Sequence, residues 1–401
     1  MELRCAIQKY AWGKRGRNSE VALLNCGGDP DFMIDDAMPY AELWMGTHPN
    51  GPSILKNSSQ KLDDWIKAHP ESLGAKVTKK FGAQLPFLFK VLSISQALSI
   101  QAHPDKILAE KLHCEHPDIY KDPNHKPELA IALTPFEALC GFRPTEEIKK
   151  FLKVVPELRT AVGQEVVSKL LTSDEAGIHH ALKNCFHSLM TCPRETIKTQ
   201  LQILLRRLAS LDESSLADHD ATLLKLHQTY PGDVGCFSVY FLNLLTLQPG
   251  EALYLGPNEP HAYLYGDCIE CMACSDNVVR AGLTPKYKDV DTLCIMLTYS
   301  CEPSNEKRFQ GIQEDMYTLR FCPPVPDFSV AKINVPSGIT EYALIPRDSA
   351  SILIVISGQA TAGDIVLERG TVIFLPSNQV LDIQCGDRAE ALLMFQAMCN
   401  V

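Results

Sequence analysis

The run Ala97-Leu98-Ser99-Ile100-Gln101-Ala102-His103, with Lys126-Pro127-Glu128 further along, decides how this chain is read. Apolar and polar side chains alternate through it. On a strand, Leu98, Ile100 and Ala102 therefore face one way and Ser99, Gln101 and His103 the other. In an apolar core each unpartnered polar group on the second face would cost about 1–3 kcal/mol. That face lies in water, or it surrounds something polar such as a metal ion or a sugar. The alternation alone leaves both open.

Outward from this run, Leu85-Pro86-Phe87-Leu88-Phe89-Lys90-Val91-Leu92 reads as a neighbouring strand, and 106–113 as a short helix. Towards the N-terminus, Cys5 to Gly13 and Ala41 to Met45 carry strand signals, Asn18 to Leu24 reads as a helix with a polar N-cap, and 61–80 as a helical patch. From Pro144 to about Tyr230 the pattern changes to apolar residues at i, i+3 and i+4, giving helices over 146–155, 165–171, 176–190, 194–211 and 221–228. Strand signals return in the run from Cys236 to Leu247, then at Ala252 to Leu255, 342–345, 351–358, 370–376 and 391–395. The organisation is mainly β with an α-helical insert. The spans are 1–144, a helical insert 145–230, 231–315 and 316–401.

Two β segments read as diverged copies of one hairpin. Gln248-Pro249-Gly250-Glu251-Ala252-Leu253-Tyr254-Leu255-Gly256-Pro257 matches Glu368-Arg369-Gly370-Thr371-Val372-Ile373-Phe374-Leu375-Pro376 in the order turn, glycine, apolar strand, proline loop. The first continues into Asn258-Glu259-Pro260-His261, the second into Ser377-Asn378-Gln379 without a histidine. Short strands punctuated by glycine and proline suggest two jelly-roll barrels, of which the first kept polar ligands.

The 401 residues are enough for two or three domains. A hydrophobic fraction of 45% and a charged fraction of 21% are those of a soluble globular protein. The net charge of −10 and the absence of clustered Lys and Arg argue against nucleic acid, while a local basic pocket for an anionic small molecule stays open. No signal-peptide pattern or membrane-length apolar run is present. Fifteen cysteines scattered through apparent core segments fit reduced thiols and a cytoplasmic location.

Several motifs point to one family: Tyr10-Ala11-Trp12-Gly13, Ala41-Glu42-Leu43-Trp44-Met45-Gly46-Thr47-His48-Pro49, Gln101-Ala102-His103-Pro104, Pro260-His261-Ala262-Tyr263, and the run from Gly266 to Lys286. The chain resembles the type I mannose-6-phosphate isomerases (phosphomannose isomerases) of the cupin superfamily. The likeness is densest over 87–143 and 231–286. It implies two cupin-like jelly-roll barrels plus a helical subdomain, the C-terminal barrel lacking metal ligands. It also implies one Zn²⁺ per chain on Gln101, His103, Glu128 and His261, a donor set that suits zinc and leaves a position open. The implied reaction interconverts mannose 6-phosphate and fructose 6-phosphate through an enediol-type proton transfer, supplying mannose for GDP-mannose. Arg280 matches the arginine assigned as catalytic, and as a guanidinium it suits anion stabilisation. Glu270 is the candidate for proton transfer, its face depending on strand register. Ser99, Lys126 and Lys286 are the candidates for the phosphate. The expected partner is the phosphosugar alone, with no nucleic acid or membrane, and the chain is expected to be a monomer.

Two other readings use the same residues. A non-catalytic cupin would bind phosphosugar as a sensor, and a cupin oxygenase would use the ligands for Fe(II) and consume oxygen. Cys268-x-x-Cys271-x-x-Cys274 suggests a redox or iron–sulfur site by spacing. On a strand, however, Cys271 faces away from the other two, so these thiols are read as core packing.

Overall fold

The computed structural model describes residues 1–386 and 390–401, with backbone alone at 213. An eleven-stranded sheet carries the polar run. Along its main path the order is Arg308–Phe309, Ala252–Leu255, Glu128–Ala132, His261–Ala273, Phe87–Ile94, Glu42–Met45, Ala6–Gln8. The thirteen-residue strand His261–Ala273 is its axis. The first part of that strand pairs with Phe136–Phe142 and Ile100–Ala102, and the second with Phe87–Ile94 and Glu128–Ala132.

These strands are buried on both faces, which is why their sequences read as nearly continuous apolar runs with isolated polar residues. On one face Leu43, Phe87, Phe89, Val91, Ile131, Ile269 and Cys271 pack against Phe321, Phe328, Ile352, Ile354, Phe374 and Phe395 of the C-terminal part. On the other, Trp44, Leu88, Lys90, Glu128, Glu270 and Met272 line a cavity. The C-terminal part is itself two facing sheets, of six and four strands, closed over Ile333, Leu353, Val355, Leu367, Ile383 and Met394. Among the described residues none of this part lines the cavity; it packs against the outer face of the sheet.

The helices run from Thr145–Val154 to Asp218–Thr229. They pack on Ile100, Ala102, Leu139, Phe142, Ala262 and Leu264, the outer face of the other half of the sheet. One helix, Pro156–Val162, was not expected from the periodicity, because it is short and follows Val155 with a proline at its first position. The two hairpin copies match in backbone as well as in order. Gly250 and Gly370 have φ of 91° and 88°, the strands Ala252–Leu255 and Val372–Leu375 follow two residues later, and Asn258 and Asn378 then turn with φ of 63° and 59°.

Two expectations are corrected. Cys236–Tyr240 is not strand: Val234–Tyr240 is a 3₁₀ helix, capped by the Asp233 carboxylate accepting from the Gly235 N–H at 2.7 Å. All seven residues are buried, so the run was apolar because it is enclosed on every side, and only Leu242–Leu247 is strand. Leu98 does not share a face with Ile100 and Ala102. Regular strand begins only at Ile100, and Leu98 is turned into the cavity with its N–H bonded to the Tyr263 carbonyl. Among the described residues all fifteen cysteines are free, and no helix is long and apolar enough to cross a membrane.

Gly266 is the corner of the long strand. Its φ is 116°, and a Cβ there would lie 2.6 Å from the Pro135 carbonyl oxygen. Up to the corner His261 turns towards Glu128 and Tyr263 lines the cavity; beyond it Cys268, Glu270 and Met272 occupy the inner side, so the alternation changes phase. The variant Gly266→Ala is expected to be destabilised by about 2 kcal/mol or more. Calorimetry checks this, and an unchanged thermal midpoint would show that the corner accepts a side chain.

Candidate metal centre and cavity

Three buried side chains converge beneath the cavity. His103 follows the strand Ile100–Ala102, Glu128 opens the strand Glu128–Ala132, and His261 opens the long strand. The Nε2 atom of His103 lies 3.4 Å from Glu128 Oε1, and that of His261 lies 3.4 Å from Glu128 Oε2. On the far side of each ring Nδ1 meets a backbone carbonyl, Asn277 O at 2.6 Å for His103 and Glu259 O at 3.0 Å for His261.

A carbonyl only accepts, so each Nδ1 carries the hydrogen, and a neutral ring then presents a bare lone pair at Nε2. Burial pushes His103 down to about 4, so its ring is neutral at physiological pH. Both Nε2 atoms and Glu128 Oε2 are buried without a hydrogen-bond partner. Acceptors therefore face acceptors with no donor between them, an arrangement that a cation satisfies. Two imidazoles and a carboxylate whose ligand atoms lie within 4.8 Å of one another suit a divalent ion such as zinc. Among the described residues this is the one such group of three or more His, Cys, Asp or Glu side chains.

The cavity above has a volume of about 700 Å³. Gln101 lies on its wall, paired across the sheet with His261 on one side and Arg280 on the other, which brings these three side chains to adjoining positions. Ser99 donates to Gln101 Oε1 at 3.2 Å. Lys126 stands beside the ligand cluster, with Nζ 3.6 Å from Glu128 Oε1. Lys286 is exposed at the cavity rim, on the segment that follows the strand Val279–Gly282. Among the described residues neither Arg280 nor Lys286 has an ion-pair partner. Arg280 is partly buried, and that burial lowers its pKa.

Glu270 faces the cavity and is paired with Lys90, which donates to it at 3.0 Å and lies 3.4 Å from Glu42. Burial raises the Glu270 carboxyl above its ordinary range, with Lys90 pulling the other way. Burial also works to lower Lys90, and Glu270 and Glu42 more than reverse it. Trp44 donates to Glu42 at 2.6 Å and lies under the Lys90 ammonium, completing a buried polar row. Sequence reasoning missed Lys90, Glu42 and Trp44 as parts of the site. The signal for Lys90 was present: a lysine inside an otherwise apolar strand needs buried anionic partners.

Lys90, Lys126, Arg280 and Lys286 balance Glu42, Glu128, Glu270 and Asp276 around the cavity. A divalent ion tips this neutral lining positive, as an anionic ligand requires. The three cysteines of the tempting spacing diverge as alternation predicts. Cys268 and Cys274 pack on the inner side and Cys271 on the outer, and burial raises all three thiols, Cys274 to about 12.

The site has a candidate metal centre under a polar cavity, set in a β-sheet flanked by a helical insertion, as in metal-dependent enzymes that act on small polar molecules. Three family models match: phosphomannose isomerase type I catalytic domain over 1–145, its helical insertion domain over 157–242, and its C-terminal domain over 321–363. Mannose-6-phosphate isomerase of Bos taurus is 51% identical over 414 aligned positions, covering 99% of this chain and 98% of its own. The Homo sapiens enzyme is 50% identical with the same coverage. A crystal structure of mannose 6-phosphate isomerase bound with zinc and yttrium superposes with a TM-score of 0.85 at 32% identity, covering 100% of this chain and 99% of that one. The chain belongs to the type I phosphomannose isomerase family.

The wild-type protein is expected to retain one divalent ion per chain after dialysis, and His261→Ala none, measured by elemental analysis. Stoichiometric metal in that variant would remove His261 from the ligand set.

Proposed function

We propose that the chain is a Zn²⁺-dependent aldose–ketose isomerase that interconverts D-mannose 6-phosphate and D-fructose 6-phosphate, supplying mannose for GDP-mannose. It acts as a cytoplasmic monomer on the phosphosugar alone. The observation that carries the reading is the convergence of unpartnered acceptors on His103, Glu128 and His261 beside the unpaired cation Arg280. Full-length identity to mannose-6-phosphate isomerases supports the same reaction.

His103, Glu128 and His261 would hold the zinc, with the Gln101 amide oxygen as fourth donor and a position left for substrate or water. Zinc, when bound, supplies Lewis-acid polarisation of the sugar oxygens without redox chemistry.

Moving the carbonyl between C1 and C2 requires an open-chain sugar, a proton taken from one carbon and returned to its neighbour, and an enediol-like anion stabilised between. Glu270 is assigned the proton transfer. Its buried, upward-shifted carboxyl is better matched to a carbon acid than an exposed one, and Lys90 fixes its orientation. Arg280 is assigned the developing oxyanion, since no carboxylate among the described residues competes for its guanidinium. Ser99, Lys126 and Lys286 are assigned the phosphate, offering a hydroxyl and two ammonium groups to the cavity they line. The aromatic pair Tyr10 and Trp12, stacked at 5.8 Å, lines the same cavity.

A coupled assay for fructose 6-phosphate formation from mannose 6-phosphate tests the reading. Activity is expected to vanish on chelation and return with zinc, without oxygen uptake; no turnover in zinc-loaded protein would favour a binding protein instead. Arg280→Ala is expected to keep its zinc and lose about 10²-fold or more in kcat, and an unchanged kcat would exclude it from the chemistry. Lys286→Ala is expected to raise KM with little change in kcat, measured on the same assay. An unaltered KM would take it out of phosphate binding.

A further inference from the structure

The carbonyl that orients His103 belongs to Asn277, four residues beyond the end of the long strand, in a segment with no regular secondary structure. A backbone carbonyl in irregular chain fixes an imidazole only if something fixes the carbonyl. Here the segment 274–277 is stitched to a second irregular strap, Asp122-Pro123-Asn124, which leads directly into Lys126-Pro127-Glu128.

The Asp122 carboxylate uses both oxygens. Oδ1 accepts from the Asn124 N–H at 2.9 Å and from the Ser275 hydroxyl at 2.8 Å, and Oδ2 accepts from the Asp276 N–H at 2.7 Å. The Asn277 side chain closes the joint from the other direction, its Nδ2 donating to the Asp122 carbonyl at 2.6 Å and the Asn124 carbonyl at 2.8 Å. Asn277 and Ser275 are 2% and 4% exposed, so little water competes for these bonds. His261 is oriented by a different device. Its carbonyl partner is on Glu259, whose side chain is gripped by Lys307 at 2.5 Å.

We propose that Asp122 is a positioning residue of the metal centre: it locks the strap before Glu128 to the segment whose Asn277 carbonyl sets the His103 ring, so that two ligands are placed by one carboxylate. The proposal rests on the metal-site reading above. Because the strap ties the stretch that leads into Glu128 to the segment whose Asn277 carbonyl orients His103, its effect falls on the mutual placement of His103 and Glu128, while the Lys307–Glu259 pair keeps His261 in place. The role requires two acceptors. An amide of the same size would offer one acceptor and set its NH₂ against a backbone N–H.

The test compares the zinc dissociation constant and the visible absorption of the Co²⁺-substituted protein in wild type, Asp122→Asn and Asn277→Ala. The second variant keeps the orienting carbonyl and removes only its side-chain anchor, whose Oδ1 has no partner to lose. Tyr342→Phe serves as a stability control, since it removes a hydroxyl bonded to Thr318 and Asp315 in the C-terminal part, away from the cavity. Asp122→Asn is expected to weaken zinc about 10- to 100-fold and to shift the Co²⁺ bands. Asn277→Ala is expected to do the same in smaller degree, and Tyr342→Phe neither. Wild-type affinity and an unchanged Co²⁺ spectrum in both strap variants would overturn the proposal while leaving the metal site intact. Failure of the wild-type protein itself to take up zinc would overturn the metal-site reading and this inference with it.

Discussion

The structure depends on an electrostatic contradiction at its centre. Two imidazoles and a carboxylate turn towards one another, and both Nε2 atoms and Glu128 Oε2 are buried without a hydrogen-bond partner. Each histidine is held in that attitude by a carbonyl behind it, so neither ring escapes by changing tautomer without losing a buried hydrogen bond. A cation bound between them would give each of these buried lone pairs a partner. The ion-pair row of Glu42, Lys90 and Glu270 solves the neighbouring problem by a different means, with opposite charges of the chain itself.

Keeping those groups in place requires stiff walls, and the rest of the chain supplies them. The outer side of the sheet is largely apolar, and its two halves are covered by different units, helices on one and the six-stranded C-terminal sheet on the other. A strand buried on both faces has no freedom to slip, because a shift of one residue would drive Phe89 or Ile269 into the cavity and Lys90 or Glu270 into the apolar core. The helical and C-terminal parts therefore act on the chemistry through register, with the active cavity itself built from the sheet and the segments that border it.

Residue chemistry raised the possibility of an enclosed polar group, and the family motifs picked out the candidate ligands. A histidine after Gln101-Ala102, a Pro-His at the start of a strand and a Lys-Pro-Glu between them are costly choices in a buried sheet unless something polar is enclosed. The helical insert was legible from periodicity, and the pairing of the two hairpin copies from their glycine and proline positions. What misled was enclosure without periodicity. The run Cys236 to Tyr240 is apolar because it is surrounded, which says nothing of its backbone, and Leu98 departs from the alternation because the chain before Ile100 is not yet strand. Lys90 escaped notice as a site residue because its partners, Glu42 and Glu270, lie 48 and 180 residues away.

The sequence by itself determined the family and most of the strand and helix content, and it named His103, Glu128 and His261, which the structure brings together, as candidate donors through the family motifs. It did not determine which side chains share the cavity. Strict alternation along the long strand, from His261 to Glu270, would put those two residues on opposite faces. The tertiary structure brings them together through the irregular pairing between Tyr263 and Tyr265 and the corner at Gly266 that follows it, where the backbone adopts a φ of 116° against the Pro135 carbonyl. A corner of that kind is set by the packing of two sheet halves around it, and no local pattern announces it.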